Sequence, residues 1–177
     1  MRQLPVIWNV TDVLRFTVCA LLVLAQPRAV AGTATELKIL ATDPAPDVLL
    51  ARAQPFFVRF EVTSAAETAV SVGGRLKGAA VIDHGGVSAP ARLKAGGGNG
   101  VVSLFYWGEI PTRIDEVRLL IHDPQSGAPV AEYTFPVSLT WLADEPPRRA
   151  PAAWVRDWQR TQAARTGGSA AEIAPSI

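Results

Sequence analysis

Apolar and polar residues alternate with a period of two along most of the chain from Glu36 to Leu142, and that rhythm leaves few architectures open. Successive side chains of a strand point to opposite faces, so alternation builds sheets with one dry and one wet face. The clearest case is Pro55–Thr63. Phe56, Val58, Phe60 and Val62 share one face, and Phe57, Arg59, Glu61 and Thr63 share the other, mostly wet one. Asp115–His122 repeats the pattern through Val117, Leu119 and Ile121. Val130–Leu142 does so through Tyr133, Phe135, Val137, Leu139 and Trp141. Pro136 cannot donate to a ladder, so that last strand is expected at a sheet edge or bulged there. Weaker strands are expected at Glu36–Ala41, at Val70–Gly78 with a bulge or bend at Gly73-Gly74, and at Val101–Trp107 after a Gly96–Gly100 loop. A hairpin at Asp83-His84-Gly85-Gly86 would join Ala79–Ile82 to Val87–Lys94. Short strands with regular turn signals, and no helical pattern between them, describe an all-β sandwich of about seven strands. It spans residues 32–142.

Residues 1–31 have another character. A short apolar run, Phe16 to Ala25, follows Arg2 and Arg15, and Ala29-Val30-Ala31 supplies the small-x-small pattern of a signal-peptidase site. Ten helical residues span about 15 Å, half of a bilayer core. The expectation is a cleaved signal peptide, a mature start near Gly32, and a periplasmic or extracellular protein. Cys19 is the only cysteine and Met1 the only methionine. The exported domain therefore has no disulfide, thiolate metal site or cysteine nucleophile, and nothing to form a thioether copper site. Arg2, Arg15, Arg28 and Asp12 fall in the leader, so the 17 basic and 16 acidic residues of the chain become 14 and 15. That balance does not suit a nucleic-acid partner.

The order Leu37-Lys38-Ile39, a proline-rich step, Ala53-Gln54-Pro55-Phe56-Phe57-Val58-Arg59-Phe60-Glu61-Val62-Thr63-Ser64, the glycine-interrupted Val70–Gly78 and then Val101–Tyr106 resembles bacterial immunoglobulin-like modules of the fibronectin-III-like, CARDB type. The resemblance covers about residues 36–142 and lacks the Cys…Trp…Cys pin of antibody domains. It implies a binding or spacing module and no active site.

Composition changes at Ala143. Residues 143–151 read as a stiff, proline-rich linker. Residues 152–166 read as a helical arm, with Pro151 tolerated at its first turn, and 167–177 as a disordered tail opened by Gly167-Gly168. On the arm, Trp154 and Trp158 lie four apart, as do Arg156 and Arg160, so each pair forms a stripe. Two tryptophans do not stay in water at no cost. They dock on the sandwich, on a partner, or on a membrane surface; Asp157 and the lack of an aliphatic face weigh against the membrane. Trp154, Trp158, Arg156 and Arg160 are the leading partner-binding residues. Any membrane contact is at most peripheral.

Phe105-Tyr106-Trp107 offers a second candidate. Alternation buries one side of it, so either Tyr106 or the Phe105/Trp107 pair faces out. Outward rings at Tyr106 and Trp107 could stack on a sugar; the favoured reading instead has Trp107 cover the bottom of the core next to Trp141. His84 and His122, each beside an aspartate, lack ligand spacing, and Asp83 and Asp123 read as turn formers. The glycine run ahead of Val101 precedes a strand, whereas a phosphate cradle precedes a helix. The sequence thus points to a non-catalytic, cofactor-free protein that binds another envelope protein as an accessory subunit. A carbohydrate-binding module is the alternative.

Overall fold

Among the described residues the period-two segments form strands, and the two apolar faces meet. The structure is a computed structural model, described over residues 28–29, 35–76, 85–109, 111–143 and 149–166. One sheet joins β2 (Glu36–Asp43), β4 (Phe56–Thr63), β8 (Gly98–Tyr106) and β6 (Gly85–Val87) in that order. The other runs β1 (Arg28–Ala29), β10 (Pro129–Trp141), β9 (Thr112–His122), β5 (Thr68–Arg75) and β7 (Ala91–Leu93), with β3 (Asp47–Leu50) added parallel to β10. All other pairings are antiparallel. The architecture is an all-β sandwich followed by one helix, α1 (Ala153–Thr166). The leader to Pro27, the Ala79–Ile82 strand with Asp83 and His84, and the tail from Gly167 lie outside the described residues.

The expected faces hold. Phe56, Val58, Phe60 and Val62 of β4 are buried against Val117, Leu119 and Ile121 of β9 and Tyr133, Phe135 and Leu139 of β10. Val137 is only partly buried, because β10 bulges after Pro136: Val137 and Ser138 together oppose Asp115 of β9. The bulge lets Ile114 rather than Asp115 enter the core, and beyond it Ser138–Trp141 pairs with β3. The outer face of this sheet is polar. Arg75, Glu116, Arg118 and Glu132 form an ion-pair ladder across β5, β9 and β10, and Ser71 hydrogen-bonds His122 at 2.7 Å.

Four local expectations need correction. Gly73-Gly74 makes no bulge, since β5 keeps register with β9 through both residues. Gly74 is there for space: a Cβ would lie 2.7 Å from Ile114 Cδ1 and 2.8 Å from the Tyr106 hydroxyl. Gly85 and Gly86 are not a turn but the strand β6, paired to Tyr106 and Phe105. The segment read as one strand, Val87–Lys94, changes sheets: β6 pairs with β8, and beyond Pro90, which carries no N–H for a ladder, β7 pairs with β5. The glycine loop is also shorter than expected, since β8 begins at Gly98. Gly97 holds φ +90, and a Cβ there would meet Val62 O at 1.9 Å, so the turn admits only glycine.

Candidate functional site

The face of β4 read as wet is half dry. Phe57 is 5% exposed on the outer side of its sheet, because α1 lies across it. Trp158 meets Phe57 edge-on, with ring centroids 5.9 Å apart and planes at 67°. Val155 and Ala163, one face of the helix, are buried, and the Asp43 carboxylate at the end of β2 accepts a 2.9 Å hydrogen bond from the Ala152 N–H at the helix start. That bond satisfies a backbone donor that the helix cannot satisfy internally. The helix therefore docks at home. The sequence had left that choice open and had named the arm as a partner contact.

Docking leaves a groove of about 900 Å³ beside the helix. Its floor is the outer face of β4 and β8: Phe57 and Arg59, then Asn99, Val101, Ser103 and Phe105. One wall is α1, through Trp154, Trp158, Gln162 and Arg165. The other is residues 88–93, where the chain passes from β6 to β7. Both tryptophans named from the sequence line it, each only partly buried. The two arginines named with them do not. Arg156 donates to the Pro151 carbonyl and Arg160 to the Asp157 carboxylate, both on the exposed side. The cations that do line the groove are Arg59, Arg92 and Arg165, and among the described residues none of them has an ion-pair partner. The sequence reading missed them because they come from three elements far apart in the chain. Only the outward parity of Arg59, two residues from Phe57, was visible.

Tyr106 is corrected as a ligand-stacking residue. It is 4% exposed, packs edge-on to Trp141 with centroids 4.8 Å apart, and donates its hydroxyl to Gly74 O at 3.3 Å. Burial pushes its pKa above the ordinary tyrosine value, and that hydrogen bond opposes the rise. Trp107 does not cover the core beside Trp141 but faces out, at 43% exposure, with Phe105 5.5 Å away and tilted by 42°. Two rings at that angle do not form one flat sugar platform. Phe105 lies in the groove floor, so the outward pair borders the same site.

Among the described residues, no three His, Cys, Asp or Glu side chains gather as a metal site, and no helix is long and apolar enough to cross a membrane. His84 lies outside the described residues. Asp123 acts as read, its carboxylate accepting from the N–H groups of Gln125 and Ser126 at 2.7 and 3.0 Å. Those bonds hold its pKa below the ordinary aspartate value.

The fold is thus a two-sheet β-sandwich whose outer face, with α1, forms one groove. No protein-family model matches the chain, and no curated protein does. Among solved structures it is similar to the Salmonella enterica SafA pilin in complex with the SafB chaperone. The identity is 12% and the TM-score 0.41, covering 66% of this chain and 57% of that chain. The match thus spans under two thirds of that chain's length.

Proposed function

We propose that the protein is an exported, non-catalytic protein-binding subunit of a cell-envelope assembly, built on a bacterial immunoglobulin-like module. The observation that carries this reading is the groove. It is walled by partly exposed tryptophans and lined by arginines that have no ion-pair partner among the described residues. Large rings and arginines are the residues that dominate protein-binding surfaces. Export rests on the leader of residues 1–31. Cleavage behind Ala31 would remove β1 as well, freeing the edge of β10 at Ala131 and Glu132 that β1 covers.

Site-specific photocrosslinking in the native envelope tests the reading. A benzophenone amino acid at Trp154 should trap one discrete envelope protein. The same probe at Leu49, 68% exposed on β3 away from the groove lining, should trap none. Equal labelling at both positions, or adducts confined to the chain itself, refutes it. Mass spectrometry of the same material should find the N-terminus within a few residues of Gly32.

A further inference from the structure

One edge of β8 changes partner along its length, and the change opens onto the groove. The Ser103 carbonyl accepts from the Ser88 N–H at 2.8 Å, and the Ser103 N–H donates to Ser88 Oγ at 3.0 Å. Both backbone groups of Ser103 therefore point away from β4. Direction alternates along a strand, so the N–H and C=O of Val101 and Asn99 point the same way. There the chain that covered β8 has left for the other sheet, where Ala91–Leu93 pairs with β5. Among the described residues, no backbone hydrogen bond reaches Val101 or Asn99 from that side. Four strand-edge groups thus face the groove that both residues line.

Charge of mostly positive sign sits here too: Glu61 lies opposite Asn99, and Asp157 lines the groove but already accepts from Arg160. Arg59 is opposite Val101 in the register of β4 and β8. Arg92 precedes Leu93, whose Cδ2 lies 4.0 Å from the place of a Cβ on Gly98. Arg165 reaches the groove from the helix. At the other end are Phe57, Phe105 and Trp158, with Ser103 opposite Phe57. From Asn99 to Phe105 the floor runs about 20 Å, at about 3.3 Å per residue, which is the length of a six-residue extended segment.

Resting on the protein-binding reading above, we propose that the groove takes an extended acidic peptide segment of a partner, added as a strand to the Asn99–Val101 edge of β8. Backbone hydrogen bonds to that edge hold the segment. Its carboxylates lie among Arg59, Arg92 and Arg165, as charge-assisted hydrogen bonds favour, and an apolar residue at its other end packs against Phe57 and Trp158. An acidic sugar chain would satisfy the arginines and the rings but could not complete the ladder.

Three probes on the purified protein separate these cases: the peptide Phe-Val-Thr-Val-Glu-Asp with its reversed order, the same peptides with both acids replaced by lysine, and polygalacturonate. Fluorescence titration should show binding of at least one acidic order. The lysine forms should bind at least about tenfold more weakly, since like charges then meet. Amide hydrogen exchange at Asn99 and Val101 should slow on binding. Arg59→Glu with Arg92→Glu should abolish binding while the circular dichroism spectrum stays unchanged; Arg59→Lys with Arg92→Lys should keep most of it. No acidic peptide binding below about 1 mM, equal binding of the lysine forms, binding without slowed exchange at the two amides, or binding of polygalacturonate alone would each overturn the proposal. A groove that rejects the peptides while Trp154 still crosslinks an envelope protein would overturn this occupant and leave the protein-binding function standing.

Discussion

A double-mutant cycle between Phe57 and Trp158 tests whether α1 sits on the sheet in solution. Phe57 is 5% exposed, and its cover comes from the helix. Phe57→Ala should destabilise by about 3 kcal/mol, the low end of the range for buried Phe→Ala, because the helix can settle into the space. Trp158 is only partly buried, so Trp158→Ala should cost roughly 2 kcal/mol, about half of a full burial. The rings meet edge-on at 5.9 Å, a contact that contributes about 0.5–1.5 kcal/mol beyond area. The double mutant should therefore lose about 4 kcal/mol rather than 5. Urea unfolding followed by far-ultraviolet circular dichroism reads this directly. With a slope near 2 kcal/mol/M, coupling of 1 kcal/mol shifts the midpoint by about 0.5 M from the additive value. Independent sites add within about 0.3–0.5 kcal/mol. Additivity inside that band would show that the two rings do not touch, and the groove would lose its helical wall.

The glycines of β5 should separate sharply. Gly74→Ala meets Ile114 and Tyr106 below 3 Å and should cost about 1–3 kcal/mol by urea unfolding, whereas Gly73→Ala, with nothing within 4 Å, should stay within about 0.5 kcal/mol. Asp43→Ala removes the acceptor of the Ala152 N–H and should cost about 1–3 kcal/mol; amide exchange should speed up across 153–166 more than in β9, and uniform acceleration would contradict a local clasp. Burial raises the pKa values of Tyr106 and Tyr133. The unfolded chain then ionises first, so stability is intact below about pH 10 and falls as pH rises beyond it. Tyr106→Phe should flatten that fall in thermal melts between pH 9 and 11.5, and an unchanged slope would mean that the ring is not buried.

The sandwich was legible because burial enforces parity. Phe56, Val58, Phe60 and Val62 could not all be dry unless β4 lay on one core, and the structure puts them there. Pro136 announced the bulge for a similarly direct reason, the missing N–H. Glycine misled. Gly73-Gly74 and Gly85-Gly86 look like breaks, yet all four are strand positions, and at Gly74, Gly85 and Gly86 a neighbouring aromatic side chain occupies the place of a Cβ, while Gly73 has open space. Local sequence cannot distinguish room for a turn from room for Tyr106. The groove was half legible. Trp154 and Trp158 had to dock somewhere, but Arg59, Arg92 and Arg165 meet only through the fold, whereas Arg156 and Arg160 share the helix with the tryptophans at the same four-residue spacing. Phe57 read as wet because alternation reports the two faces of a sheet and says nothing of a helix added later.

The pairing of early strands with the last one sets the order in which the chain can finish. The sheet of β2, β4, β8 and β6 needs nothing beyond Tyr106. Besides Val70 and Val72 of β5, its apolar side is covered by β9 and β10, which end only at Trp141, and β3 at residues 47–50 has no strand partner among the described residues until Ser138–Trp141. Such long-range closure places the domain among slow, millisecond-to-second folders. For a chain that emerges N-terminus first, the apolar side of the first sheet stands open until the final third arrives, and that interval, more than the finished fold, is when the protein is most exposed to aggregation.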